Sequence, residues 1–365
     1  MEMTSSNKYS YKKLQDFCST VFVKAGVMKE QADIVAASLV QADLRGVDSH
    51  GVVRTAIYLK RVEQKMINPA ADIHIEKENE STALIDGGNH FGAVVGDKAL
   101  KLAMEKAKTT GVGMVGVKNS NHFGTGAYYA LEALKQDLGT IIMSNASQTM
   151  PPTGGVRPFI GTNPLAVGIP CGAYQPFLLD MATSVVARGK IIVAAQKGES
   201  IPQGWAIDKN GKPTTNAEEA LEGSVLPLGG TKGYGISMFI DILSGVLTGA
   251  GFGKYVHNMY EDWEKPQNVG HFFITFDINK FIDIQEFKNR MDLYISDVKG
   301  EPRGEDVDEI LIPGEIESRI SEQRKKNGII LPLKVENELT EIGLKYGLSL
   351  KDALMKKVCK ESEGV

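Results

Sequence analysis

The 365-residue chain reads as an α/β (α+β) protein with helical segments at both ends, and three observations carry that reading. Up to Lys60, apolar positions recur at helical spacing. From Ala83 to Ala195, short apolar runs alternate with amphipathic helices. Glycine supplies 39 of the 365 residues, above the typical ~7%, and most of it lies between Gly87 and Gly270, where backbone must turn tightly or approach something closely.

The elements follow in order. Leu14, Phe17, Cys18 and Val21 form one helical stripe that Gly26 ends, and Ala32 to Leu44 form the next, stopped by Gly46. Val53, Ile57 and Leu59 begin a third amphipathic run, with Asp48 or Ser49 available as its N-cap. The pattern breaks near Asn68-Pro69, and a charged passage through Glu76 to Glu80 leads to a strand at Ala83-Leu84-Ile85. A helix (Ala93 to Thr109), a strand (Val112 to Val117), a helix (Ala127 to Leu134) and a strand (Thr140 to Met143) then alternate. Strands follow at Leu165 to Ile169 and Phe177 to Leu179, then a helical segment from Val185 to Ala195 and a turn at Asp208 to Gly211. Tyr234 to Leu247 is a very apolar helix carrying Asp241, too short and too polar for a membrane span, and so expected in the core. A strand at Phe272 to Phe276 and helices at Ile284 to Ile295, after Ile312-Pro313-Gly314-Glu315, at Val335 to Tyr346 and at Leu350 to Val358 complete the chain. The expected division is a helical N-terminal domain (1–78), a central glycine-rich region (79–315) and C-terminal helices (316–365) that pack on the N-terminal domain.

Bulk properties exclude several functions. A net charge of -4 and no basic tract argue against nucleic acid and anionic membrane as partners. Three scattered cysteines, Cys18, Cys171 and Cys359, suit neither a disulfide framework nor a zinc site, which points to a reducing compartment. The N-terminal stretch lacks the apolar run of a signal peptide, so the cytoplasm is the expected location. No histidine pair has metal-ligand spacing, and no metal is expected.

Chemistry concentrates in a few places. Ala42 to Arg54, ADLRGVDSHGVVR, puts Ser49, His50 and Arg54 on a turn between helices. Imidazole titrates near neutrality, and a guanidinium fork matches a carboxylate; a capped turn with a solvated arginine fits the same spacing. The second histidine, His122, stands in Asn119 to Gly124 at a strand end ahead of a helix, where ligands collect in α/β proteins; it equally suits a helix cap. Asp180, expected to end a buried strand, needs a partner. That partner is an imidazole, in the manner of a catalytic dyad, or the amide of a helix starting near Val185. Lys232, in LPLGGTKGYG before a helix, suits a phosphate.

Gly111, Gly113 and Gly116 match G-x-G-x-x-G, yet a helix precedes them and they lie within the strand itself. A Rossmann turn needs the opposite order. The motifs ADLRGVDSHGVVR, NSNHFG, IGTNPLAV, LDMATS, GWAIDKNGKPTT, LPLGGTKGYG and IPGE, in order from Ala42 to Glu315, resemble the malate/L-lactate dehydrogenase family. That group lacks the usual lactate dehydrogenase architecture and includes sulfolactate, ureidoglycolate and diketogulonate enzymes. The resemblance implies a non-Rossmann NAD(P)-binding domain with a mixed, largely antiparallel sheet, a homodimer, and hydride transfer between NAD, or NADP, and a small 2-hydroxy or 2-oxo acid, malate first. It implies catalytic roles for His50, His122, Asp180, Arg54 and Ser49. It also implies cofactor contacts at Asn145, Asp180, Met181, Ala182, Thr183, Lys232, Gly233, Pro313, Gly314 and Glu315. The histidine and aspartate cluster alone also suits a lyase, a hydrolase or a binding module, none of which would bind NADH.

Overall fold

The computed structural model of the protein describes residues 6–355. Its first compact unit comprises the chain up to Lys60 and from Glu317 onward. Helices α1 (Tyr11–Lys24) and α2 (Lys29–Leu44) bury the expected stripe of Leu14, Phe17, Cys18 and Val21 against Val35, Ala36 and Leu39. Gly46 takes a φ of +78° just past α2, as a helix stop should. Two 3₁₀ turns, Asp48–His50 and Val52–Arg54, lead into α3 (Thr55–Glu63).

The second unit, Arg61–Ile316, is built on a seven-stranded sheet. The first unit ends at Lys60, ahead of the compositional break near Asn68, because Arg61 is wholly buried among second-unit groups. Its Nη1 donates to the carbonyls of Met259 and Asp262, and the guanidinium lies over the Trp263 ring. In chain order the unit contains β1 (His74–Glu78), β2 (Thr82–Asp86), α4 (Gly92–Thr110), β3 (Val112–Ser120), α5 (Gly126–Leu134) and β4 (Leu138–Ser144). These are followed by β5 (Leu165–Ile169), β6 (Phe177–Met181), α6 (Arg188–Lys197), β7 (Ala206–Ile207), β8 (Pro213–Thr214), α7 (Ala217–Glu222) and β9 (Ser224–Val225). Last come α8 (Thr231–Asp241), β10 (Val269–Asp277) and α9 (Ile284–Gly300). The main sheet runs β1-β2-β3-β10-β4-β5-β6, with β2 and β3 parallel and every other pair antiparallel. This is the mixed, largely antiparallel sheet expected, with no Rossmann order. Gly111 ends α4, and Gly113 and Gly116 lie inside β3, so no phosphate turn forms there.

Several elements depart from expectation. All five residues of β1 are exposed, which removes the alternation that marks a strand in sequence. β7, β9 and β8 form a small second sheet with its own core of Val186, Ile191, Ala194, Ala206, Ala217 and Val225. The apolar helix expected over Tyr234 to Leu247 begins at Thr231 and continues beyond Asp241 as a π turn, Ile242–Val246. Only one face of it enters the core, through Ile240 beside Met143 and Phe272, while Phe239 is 54% and Leu247 62% exposed. The chain then returns to the first unit through α10 (Glu315–Asn327) and α11 (Leu333–Lys345). There Tyr9 bridges both Ile329 and Leu354. The last expected helix is a 3₁₀ turn at Leu350–Ala353, and 356–358 lie outside the described residues, as does Cys359.

Candidate active site

The turn that carries His50 is held from inside the first unit. Asp43, near the end of α2 and 2% exposed, accepts the Val52 amide on Oδ2 at 2.8 Å. Asp43 thus caps the turn into α3, a role the sequence suggested for Asp48 or Ser49. Asp48 is engaged elsewhere, by a two-pronged pairing with the Arg324 guanidinium of α10, whose Nη1 also donates to the Asp43 carbonyl. Ser49 Oγ lies 2.9 Å from His50 Nδ1, and the Ser49 carbonyl accepts Arg54 Nε at 2.7 Å. Burial, and then the Arg54 charge, push the His50 imidazole down to about 4. Near neutral pH it is therefore an unprotonated base. Burial also lowers Arg54, and Tyr58, one helical turn further along α3, offsets part of that effect.

In the second unit the sheet gathers the remaining candidates at one edge. β10 pairs antiparallel with both β3 and β4, so Ser120 and Ser144, the last residues of those strands, meet the start of β10 at Val269 and His271. β6 ends at the same edge, because Met181 and Met143 both register with Leu165 of β5. Asn119 to His122, Asn145 to Ser147 and Asp180 to Thr183 are consequently neighbouring strand ends, the location where α/β proteins collect ligands. His122 is half-buried, and its amide donates to Gln267 Oε1 at 3.0 Å.

Asp180 is exposed, not buried, and its Oδ2 accepts the Ala127 amide at 2.8 Å, capping the start of α5. The helix starting near Val185 begins only at Arg188, too far along to be its target. Met181 and Ala182 are partly exposed at the strand end. Thr183 is fully buried: its amide donates to Thr162, its hydroxyl to Asn163, and its carbonyl accepts the Leu228 amide. The Asn145 side chain is fully used inside the protein. Its Nδ2 donates to Asp241 Oδ1 and the Gly251 carbonyl, and its Oδ1 accepts the Gly270 amide.

Lys232 is exposed in the first turn of α8, preceded by Gly229 and Gly230 at φ of +59° and +65°. Gly233 is buried there, where a Cβ would lie 2.0 Å from the Leu228 carbonyl oxygen. Pro313 and Gly314 lie against β6: the Leu178 amide donates to the Pro313 carbonyl at 3.0 Å. Glu315 is buried and paired with Lys299 at 2.8 Å, and it accepts the Ile312 amide. Its carboxylate fastens this segment.

Sequence reading missed Asp43, Arg324, Tyr58 and His271. Only Tyr58, at helical spacing after Arg54, left a local signal. Among the described residues no cluster of three or more histidine, cysteine, aspartate or glutamate side chains could hold a metal, and no helix is long and apolar enough to cross a membrane.

The chain is similar to known proteins over most of its length. Residues 9–340 match the family model described as malate/L-lactate dehydrogenase. The malate dehydrogenase of Pyrococcus abyssi is 46% identical over 343 residues, covering 92% of this chain and 94% of the relative. The malate/(S)-sulfolactate dehydrogenase of Methanothermus fervidus is 44% identical, with 89% and 94% covered. Among solved structures, malate dehydrogenase from Entamoeba histolytica superposes with a TM-score of 0.90 at 35% identity, covering 95% of this chain and 99% of that one. Sequence motifs, sheet order and these likenesses converge, and the chain belongs to the malate/L-lactate dehydrogenase family.

Proposed function

We propose that the protein is a malate dehydrogenase, interconverting malate and oxaloacetate with NAD as the first nucleotide and NADP as the alternative. The observation that carries this reading is the Ser49-His50-Arg54 turn, which sets an unprotonated imidazole beside a guanidinium in a chain of this family. A dinucleotide fits the residues present. The start of α8, with Lys232 and two glycines whose Cβ positions face open space, offers the positive helix end that phosphate requires. Met181, Ala182, Pro313 and Gly314 would line it, while Thr183, Gly233, Asn145 and Glu315 contribute by shaping the backbone. When bound, the nicotinamide supplies the hydride acceptor or donor.

In oxidation His50 removes the hydroxyl proton, Ser49 orients its imidazole through Nδ1, and Arg54 holds the C1 carboxylate. His122, in the second unit, is the alternative candidate for the proton carrier. The exposed Asp180 carboxylate, at the same sheet edge as His122, orients an imidazole. A relative named for both malate and sulfolactate and another named for NADP keep two questions of specificity for measurement. Purified protein should oxidise NADH faster with oxaloacetate than with pyruvate, sulfopyruvate or diketogulonate. Activity only with another 2-oxo acid would replace the substrate, and absence of both turnover and NADH binding would overturn the reading.

The exposed apolar face of α8 and its π turn, formed by Ile236, Met238, Phe239, Ile242, Val246 and Leu247, supports the homodimer that the family resemblance implies, since monomers rarely leave so contiguous a patch open. Sedimentation velocity should give a dimer for the wild type and a monomer for Phe239→Glu. A monomeric wild type at micromolar concentration would remove the dimer from this proposal. Buried, unpaired Cys18 and Cys171 support a reducing, cytoplasmic setting.

A further inference from the structure

His271 is an unusual residue for the centre of a sheet. It lies on β10 between β3 and β4 and is completely buried. Nε2 is 2.8 Å from Ser120 Oγ, and Nδ1 is 2.8 Å from Ser144 Oγ. A neutral imidazole has one donor and one acceptor, and each hydroxyl can play either part, so the chain is satisfied in both tautomers. It reaches the loops through backbone: with the ring proton on Nδ1, Ser144 Oγ accepts it and donates onward to the Asn145 carbonyl at 3.0 Å while Ser120 Oγ donates to Nε2; in the other tautomer Ser120 Oγ is the one that donates onward, to the Asn121 carbonyl at 3.5 Å. The ring also stacks on Phe123, centroids 4.6 Å apart and planes within 7°. Phe123 is in turn fixed by Tyr129, which stacks on it and donates its hydroxyl to the Phe123 carbonyl at 2.6 Å.

Both neighbours of His122 are thereby tied to one imidazole. Burial drives that imidazole down to about 3, so it stays neutral and exchanges no proton with substrate at working pH. A phenylalanine would fill the same volume without joining the two strand ends. We infer that His271 is a positioning residue whose links to Ser120, Ser144 and Phe123 fix the two strand-end loops that carry His122 and Asn145. The inference rests on the proposed roles of those loops. It goes beyond them in assigning their geometry to a residue that touches neither substrate nor cofactor.

The test uses the full chain with His271→Phe, Ser120→Ala, Ser144→Ala and His122→Ala. Ser120→Ala should lower kcat about tenfold or more, as displacement of a reacting group does, with NADH affinity held within about twofold. Ser144→Ala should weaken NADH binding more than it lowers kcat, and His271→Phe should do both. Hydrogen exchange of amides 119–124 reads loop position independently of catalysis, and it should rise in His271→Phe and Ser120→Ala. Should His271→Phe fail to fold, the two serine variants carry the test. Unchanged exchange together with wild-type kcat in the folded variants overturns the inference. If His122→Ala keeps wild-type kcat, the catalytic reading of His122 fails, and the exchange data alone then decide whether His271 holds the loop.

Discussion

Replacement of His50 by alanine is expected to lower malate oxidation by ~10²–10⁴-fold, the usual contribution of a positioned acid or base, while NADH affinity stays nearly unchanged. The proton has to leave the hydroxyl as hydride departs. The only form of His50 able to accept it is the neutral ring. Burial and the Arg54 charge hold the imidazole at about 4, so the free enzyme carries the base form throughout the neutral range. In the oxidative direction kcat/KM should therefore rise with pH through about 4 and remain flat above it. The reductive direction needs imidazolium, so there kcat/KM should fall as pH rises past the same value; an anionic 2-oxo acid beside the ring raises the operative value within the complex. Loss of the acid limb in His50→Ala would tie the profile to this residue. Wild-type turnover in His50→Ala, with loss in His122→Ala, would transfer the role to His122.

The parts of this molecule legible in sequence were those with a local signature. Helical stripes such as Leu14 to Val21 and the alternation from α4 to β4 follow from burial of one face. The turn around His50 was visible because glycine, serine, histidine and arginine stand together. What holds the turn was not. Asp43 reads as an ordinary helix residue until Gly51 folds back upon it, and Arg324 reaches Asp48 across 276 positions. β1 was missed because neither of its faces is buried. Asp180 was misread because an aspartate inside an apolar run suggests burial, whereas β6 lies at the edge of the sheet and leaves its end exposed. His271 gave no sign because its partners lie 127 and 151 residues away. Long-range polar contacts leave no periodicity, and in this protein they shape the candidate site.

The second large effect expected is that of Gly51→Ala. Gly51 separates the two 3₁₀ turns, and a Cβ built there would lie 1.8 Å from Asp43 Oδ1 and 2.2 Å from its carboxyl carbon. Asp43 cannot swing aside cheaply, because it is buried and its other oxygen caps the Val52 amide. Nor can the turn shift as a body, since Arg324 grips Asp48 and the Asp43 carbonyl together. The added methyl should therefore be absorbed by displacement of the Ser49-His50 segment relative to Arg54. Overpacking of this kind costs about 1–3 kcal/mol, and a reacting group displaced by about 1 Å can lose ~10²-fold in rate. Gly51→Ala should show both effects: a lower urea midpoint, and kcat/KM reduced by about that factor while NADH affinity is retained. Arg324→Gln should reproduce a weaker version through loss of the Asp48 pairing, and Arg324→Lys should recover part of it, since an ammonium restores the charge without the fork. If Gly51→Ala were as stable and as active as the wild type, the close packing of Asp43 against this turn would be wrong, and with it the account of how His50 and Arg54 are held.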